Sequence, residues 1–149
     1  MAMSDEDALV PLRQEIRLCK QYIALEQLRI GDRLRADWHV QDVPDDALIP
    51  PLLLQPLLEN AVYQGIEPLP QGGCVEIVLR CSGKELHLKV KNPCTLRSVE
   101  PHHGNRVALS NIRERLDLLF DVEARYKVEN GKYFYSVEIV MPYVKEKST

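Results

Sequence analysis

Apolar positions first recur along this chain at a helical interval. Leu12, Ile16, Cys19, Ile23 and Ile30 are separated by 4, 3, 4 and 7 residues, one stripe of a long helix predicted over residues 4–30. Leu18, Tyr22 and Leu25 make a second stripe beside it. A helix with two apolar faces needs two covers, so a second copy or a neighbouring domain is expected on one of them. The alternative is that both stripes pack inside this chain. Gly31-Asp32 closes the helix, and residues 34–40 alternate like a strand holding Trp38. After a turn at 44–46, Pro50-Pro51 opens a second helix, because proline is tolerated in a first turn whose N–H groups have no partner. That helix is predicted over 51–64, with Gly65 as its stop.

A loop at 68–73 leads into strict alternation. Val75, Ile77 and Leu79 face one way, and Leu86, Leu88 and Val90 answer them across a hairpin turn at Ser82-Gly83-Lys84. Residues 92–104 hold Pro93, Pro101 and Gly104 with little periodicity, a length more typical of a mobile lid than of a plain connection. A third helix is expected over 105–120 on the stripe Leu109, Ile112, Leu116 and Leu119. A second hairpin, 124–129 with 133–141, turns at Asn130-Gly131. After the leading helix the order is β, α, ββ, α, ββ. It implies an α/β (α+β) two-layer sandwich, a mixed and largely antiparallel sheet with helices on one face.

Composition narrows the function classes. The 149 residues, 45% hydrophobic and 28% charged, suit one ordinary globular domain. No apolar run nears the ~20 residues of a membrane helix. The acidic start, Asp5-Glu6-Asp7, argues against a signal peptide, so a cytosolic setting is expected. A net charge of −3 leaves no electrostatic footprint for nucleic acid. Cys19, Cys74, Cys81 and Cys94 have neither metal-site nor disulfide-scaffold spacing, and Cys94 with His102 and His103 fits no zinc pattern.

Four segments in this order resemble one family. Glu15-Ile16 through Tyr22-Ile23 to Leu25-Glu26 and Arg29 is similar to the helix preceding the ATPase domain of LytS-type sensor histidine kinases. Residues 49–66, IPPLLLQPLLENAVYQGI, resemble their N box. Residues 88–92 resemble the strand entering the G1 box, and 104–116, GNRVALSNIRERL, the G2 box. The resemblance is strongest to the AlgZ/FimS branch. It implies a Bergerat (GHKL) ATPase fold, with residues 1–32 a linker helix and 33–149 the nucleotide-binding domain. ATP would lie between the N-box helix and the lid.

On that resemblance Asn60 offers Mg²⁺ an oxygen ligand and Glu59, the candidate catalytic residue, orders a metal-bound water. Gln64, Asn92, Gly104, Asn105, Arg106 and Leu109 are the implied nucleotide contacts. Asn60 and Gln64 would share a helix face, one turn apart. Several positions depart from the family. Asn92 stands in place of the aspartate that accepts the adenine amino group, and Pro93 and Cys94 replace its glycine-containing turn. Arg106 and Ala108 replace later glycines of the G2 box, although N–H groups at the start of the third helix can still meet phosphate. Tyr63 and Gln64 stand where relatives often carry lysine and histidine.

None of the four histidines, His39, His87, His102 and His103, lies in the leading helix. The family's phosphoacceptor histidine precedes this segment. The resemblance therefore implies the catalytic domain of a two-component kinase that phosphorylates a histidine upstream in its parent, for relay to a response regulator of the LytTR type. It further implies a homodimer, an inner-membrane parent, and no direct nucleic-acid or membrane contact by this domain. A second reading is a pseudokinase, a dimerisation and regulator-gating module with weak or no ATP binding. A remoter one is another GHKL ATPase such as an anti-sigma kinase, against which the leading helix speaks.

Overall fold

Alternation builds the sheet. The computed structural model describes residues 9–94 and 103–145, with the side chains of 103–110 outside the described set. In β4 (Gly73–Ser82) Val75, Ile77 and Leu79 are fully buried while Glu76 and Arg80 are exposed. Strand β5 (Glu85–Pro93) buries Leu86, Leu88, Val90 and Asn92 on the same face. The two form an antiparallel hairpin whose last pair is Ser82 with Glu85. Gly83 takes the left-handed backbone (φ 62°) that this two-residue turn requires.

Three more strands complete a five-stranded sheet: β2 (Leu34–Gln41), β6 (Arg125–Asn130) and β7 (Phe134–Pro142). Its order is β2-β4-β5-β7-β6. Only the β2–β4 pairing is parallel. The mixed, largely antiparallel sheet is as the element order predicted.

Helices cover one face of it. Helix α1 (Leu12–Ile30) sinks Leu12, Cys19 and Ile23 into the core, α2 (Leu54–Asn60) sinks Leu54, Leu57 and Leu58, and α3 (His103–Phe120) sinks Ile112 and Leu116. These side chains share one buried cluster with the inward residues of β4, β5 and β7. Each fully buried Leu or Ile contributes roughly 1.5–3 kcal/mol, so this cluster is the dominant stabilising term. On the second stripe of α1, Tyr22 packs against the core, whereas Leu18 and Leu25 are 41% and 65% exposed.

The structure corrects several sequence expectations. Helix α1 begins at Leu12, because Val10–Pro11 (β1) pairs instead with Ala47–Ile49 (β3), a strand not foreseen. Val144–Lys145 (β8) pairs with the other end of β3, giving a small second sheet. The second helix begins at Leu54, not at Pro51, and does not stop at Gly65: residues Ala61–Ile66 continue it as a π-helical turn. Asn92 and Pro93 belong to β5, paired with Tyr135 and Phe134, so the expected lid begins later. Of that lid, residues 95–102 lie outside the described residues. The second hairpin closes with Asn130 opposite Tyr135, and the Gly131 N–H donates to the Phe134 carbonyl (2.9 Å), so the chain turns at Lys132-Tyr133 and not at Asn130-Gly131. Gly131 there supplies space, since a Cβ would lie 2.2 Å from the Phe134 ring.

Candidate functional site

Helix α2 carries the N-box residues, and its own sequence makes it short. Pro56 sits in its first turn, where a missing N–H costs nothing. Leu53, at the N-cap, has no side chain able to cap the turn. The cap comes from α1. The carboxylate of Glu15, only 2% exposed, accepts hydrogen bonds from the backbone N–H groups of Leu52 (3.3 Å), Leu53 (3.0 Å), Leu54 (3.1 Å) and Gln55 (3.5 Å). A negative charge at the amino end also complements the helix dipole. Sequence reasoning passed over Glu15, although its spacing from Leu12, Cys19 and Ile23 places it within the buried stripe.

Glu59 is half-buried and accepts a hydrogen bond from the Gln55 side chain (3.2 Å). It lies on the flank of α2 facing α1, where its charge bears on Cys19 and Tyr22. Burial first, then Glu15 and Glu59, push the Cys19 thiol up to about 12. Burial and the neighbouring carboxylates Glu26 and Glu59 likewise raise the Tyr22 phenol. Asn60 ends α2, 5% exposed, and its side chain bonds to none of the described residues. Half-buried Gln64 follows within the π-helical turn, where Glu67 N–H reaches back five residues to the Val62 carbonyl (2.9 Å). Single π turns inside α-helices cluster at functional sites.

That turn packs on β5 at Gly65. A Cβ here would lie 2.2 Å from the Asn92 amide nitrogen and 2.8 Å from the Pro93 carbonyl oxygen, so only glycine fits. Asn92 is 3% exposed, and its side-chain nitrogen donates to the Pro93 carbonyl (2.8 Å). One N–H of the amide is used in this way, which leaves its second N–H as a donor and its carbonyl oxygen as an acceptor. Gly65, expected only to end a helix, packs directly on Asn92, a relation that the sequence alone concealed. The signal that could have found it is the glycine's place inside an otherwise uninterrupted helical pattern.

The remaining site residues, Gly104, Asn105, Arg106 and Leu109, fall in the first turns of α3, and their side chains lie outside the described residues. Glu59, Asn60, Gln64 and Gly65 therefore share one helix, with Asn92 against its end. A depression of about 550 Å³ opens at the end of the sheet, lined by Cys74, Glu76, Lys91, Asn92 and Phe134, among others. It touches Asn92 but none of the N-box side chains. Burial raises the thiols of both Cys74 and Cys94 beside it.

No protein-family model matches the chain. It is 33% identical over 123 residues to the sensor histidine kinase YpdA of Escherichia coli, covering 77% of this chain and 22% of that protein. It is 29% identical over 153 residues to the sensor protein LytS of Oceanobacillus iheyensis, covering 92% of this chain and 26% of that one. The chain thus spans about a quarter of the length of these curated relatives. Among solved structures, the catalytic domain of the histidine kinase ThkA superposes with a TM-score of 0.65 at 14% identity, over 96% of this chain and 97% of that one. The mycobacterial sensor histidine kinase MprB gives 0.62 at 13% identity, over 93% and 98%. The motif strings, the sequence likeness and the fold agree, and the chain belongs to the LytS-type sensor histidine kinases, as their catalytic (GHKL) domain.

Proposed function

We propose that this domain binds Mg-ATP between the α2–π-turn helix and the segment entering α3, and supplies the γ-phosphoryl group to a histidine upstream in its parent. The observation that carries the reading is Asn60. It is a nearly buried amide at the end of the N-box helix, bonded to no described side chain, on the same helix as the glycine that cradles Asn92. An amide oxygen is the hard donor that Mg²⁺ takes while keeping several waters, so the residues present fit the ion. When bound, the metal neutralises charge on the phosphate oxygens. Glu59 would hold a water in its shell, Asn92 would accept the adenine amino group, and Gly104, Asn105, Arg106 and Leu109 would line the phosphate and lid side.

The rest of the assignment follows from the same kinship. The parent is an inner-membrane sensor whose cytoplasmic part includes this domain, and its partner is a response regulator of the LytTR type. Residues 1–32 act as the linker helix ahead of a nucleotide-binding domain at 33–149, and the motif strings favour the AlgZ/FimS branch. The exposed Leu18, Leu25 and Leu28 on α1 support association there with a second copy.

Titration calorimetry with ATP and ADP, with and without Mg²⁺, tests the reading. Binding should be Mg²⁺-dependent and lost in Asn60→Ala. The neutral acceptor at Asn92 should weaken it by about 1–2 kcal/mol, or roughly ten-fold, relative to Asn92→Asp. If neither the natural chain nor Asn92→Asp binds nucleotide, while a response regulator still associates, the domain is a pseudokinase and the proposal fails.

A further inference from the structure

The five residues that lead into the N-box helix, 51–55, are gripped from two sides. From α1, the Glu15 carboxylate takes the N–H groups of residues 52–55. From α3, the Arg115 guanidinium donates to the carbonyl oxygens of Leu52 (3.2 Å) and Pro51. One peptide segment is therefore held by its donors on one helix and by its acceptors on another. Leu52 is the residue common to both grips, and its backbone is left-handed (φ 55°) although it is neither glycine nor asparagine. Such a conformation is strained for a residue with a Cβ and persists only where the surroundings over-determine it. Its side chain is 57% exposed, so burial does not impose it. The two sets of hydrogen bonds are the constraints in view.

A second tie runs in the same direction. Arg29, near the end of α1, pairs with Glu67 at the carboxyl end of the π-helical turn (2.7 Å). Helix α1 is thus attached to both ends of the helix that carries Glu59 and Asn60, so an axial shift of α1 must drag that helix or break one of these bonds.

We propose that Glu15 and Arg115 are a pair of positioning residues acting on Leu52, which couple the linker helix α1 to the G2 helix α3 through the amino terminus of the N-box helix. Neither touches nucleotide. A displacement of α1 changes what Glu15 offers the N–H groups, and Leu52 transmits it to Arg115 and so to α3. For its consequence in catalysis the proposal rests on the nucleotide-binding reading above. The coupling itself does not.

Amide hydrogen exchange on the 149-residue chain tests it, comparing the natural protein with Glu15→Gln, Arg115→Met and the double variant. Glutamine keeps the shape of Glu15 but loses the charge that roughly doubles each hydrogen bond. Exchange should quicken about ten-fold or more in residues 53–58 and also, across the molecule, in residues 113–118 of α3. Reciprocally, Arg115→Met should quicken exchange in α1 around Glu15 and Cys19. Because both act through one segment, the double variant should exchange no faster than the faster single one.

Effects confined to the element next to each substitution, or rates that multiply in the double variant, would overturn the coupling. If Glu15→Gln does not fold, the half-exposed Arg115→Met decides alone, by whether α1 responds. ATP titration of the same variants with Mg²⁺ should show affinity losses that fail to add. Unaltered affinity in both single variants of a nucleotide-binding chain refutes the positioning role. Absence of binding in the natural chain refutes the proposed function instead, and the exchange comparison still stands.

Discussion

Gly65→Ala puts two physical arguments in direct opposition. Helix propensity alone predicts that alanine stabilises an interior helical site by about 1 kcal/mol relative to glycine. The tertiary structure predicts the reverse sign. The added methyl would lie 2.2 Å from the Asn92 side-chain nitrogen, 2.8 Å from its Cγ and 2.8 Å from the Pro93 carbonyl oxygen. Asn92 can rotate away only by giving up its bond to Pro93, a loss of about 1 kcal/mol. The Pro93 carbonyl is backbone, fixed by the pairing of Pro93 with Phe134. Overpacking of this kind costs about 1–3 kcal/mol, so the net expectation is a loss of roughly 1–3 kcal/mol after the propensity gain. Urea unfolding with an unchanged m-value measures it. In an Asn92→Ala background the cost should shrink, because the flexible half of the clash is gone, but not vanish, because the carbonyl remains. A Gly65→Ala chain as stable as the natural one, or more so, would refute the close packing of the π-helical turn on β5.

Four further outcomes are expected. Leu52→Gly should raise stability by about 0.5–1 kcal/mol, since glycine adopts the left-handed backbone without the penalty Leu52 bears, and an unchanged or lower urea midpoint would contradict this. Asn92→Asp should lower stability by about 1–3 kcal/mol while strengthening ATP binding, because the carboxylate can no longer donate to the Pro93 carbonyl; calorimetry and urea unfolding moving the same way would count against it. Cys19 should resist iodoacetamide in the folded chain while Cys81 reacts, as mass spectrometry of the labelled peptides would reveal. The unfolded Cys19 thiol ionises near 9.0 and the folded one only near 12, so between those values the unfolded state loses the proton first. Stability therefore falls as pH rises through that window, by at most about 1.4 kcal/mol per pH unit, and Cys19→Ala should flatten that slope.

Local pattern by itself determined the central hairpin and the helical faces, and the motif strings carried the family resemblance. The alternation of Val75, Ile77 and Leu79 against Leu86, Leu88 and Val90 has a period of two, so a single buried face was legible without coordinates. The same holds for Ile112 and Leu116 of α3, and the ENAVYQGI string marked the N box. What tertiary structure alone decided are relations between residues far apart in the chain. Glu15 reads as one more helix carboxylate until residues 52–55, nearly forty positions on, arrive with unpaired N–H groups. Gly65 reads as a helix stop until β5 packs against it and leaves no room for a Cβ. Residues 47–49 carry no predicted element, lying between the turn at 44–46 and the helix opened at Pro50-Pro51, until both β1 and β8 reach them. The physical reason is common to all three. Periodicity records which way a side chain faces, whereas a hydrogen-bond partner or a steric limit is supplied by whichever segment folds alongside, and that segment is not written in the local sequence.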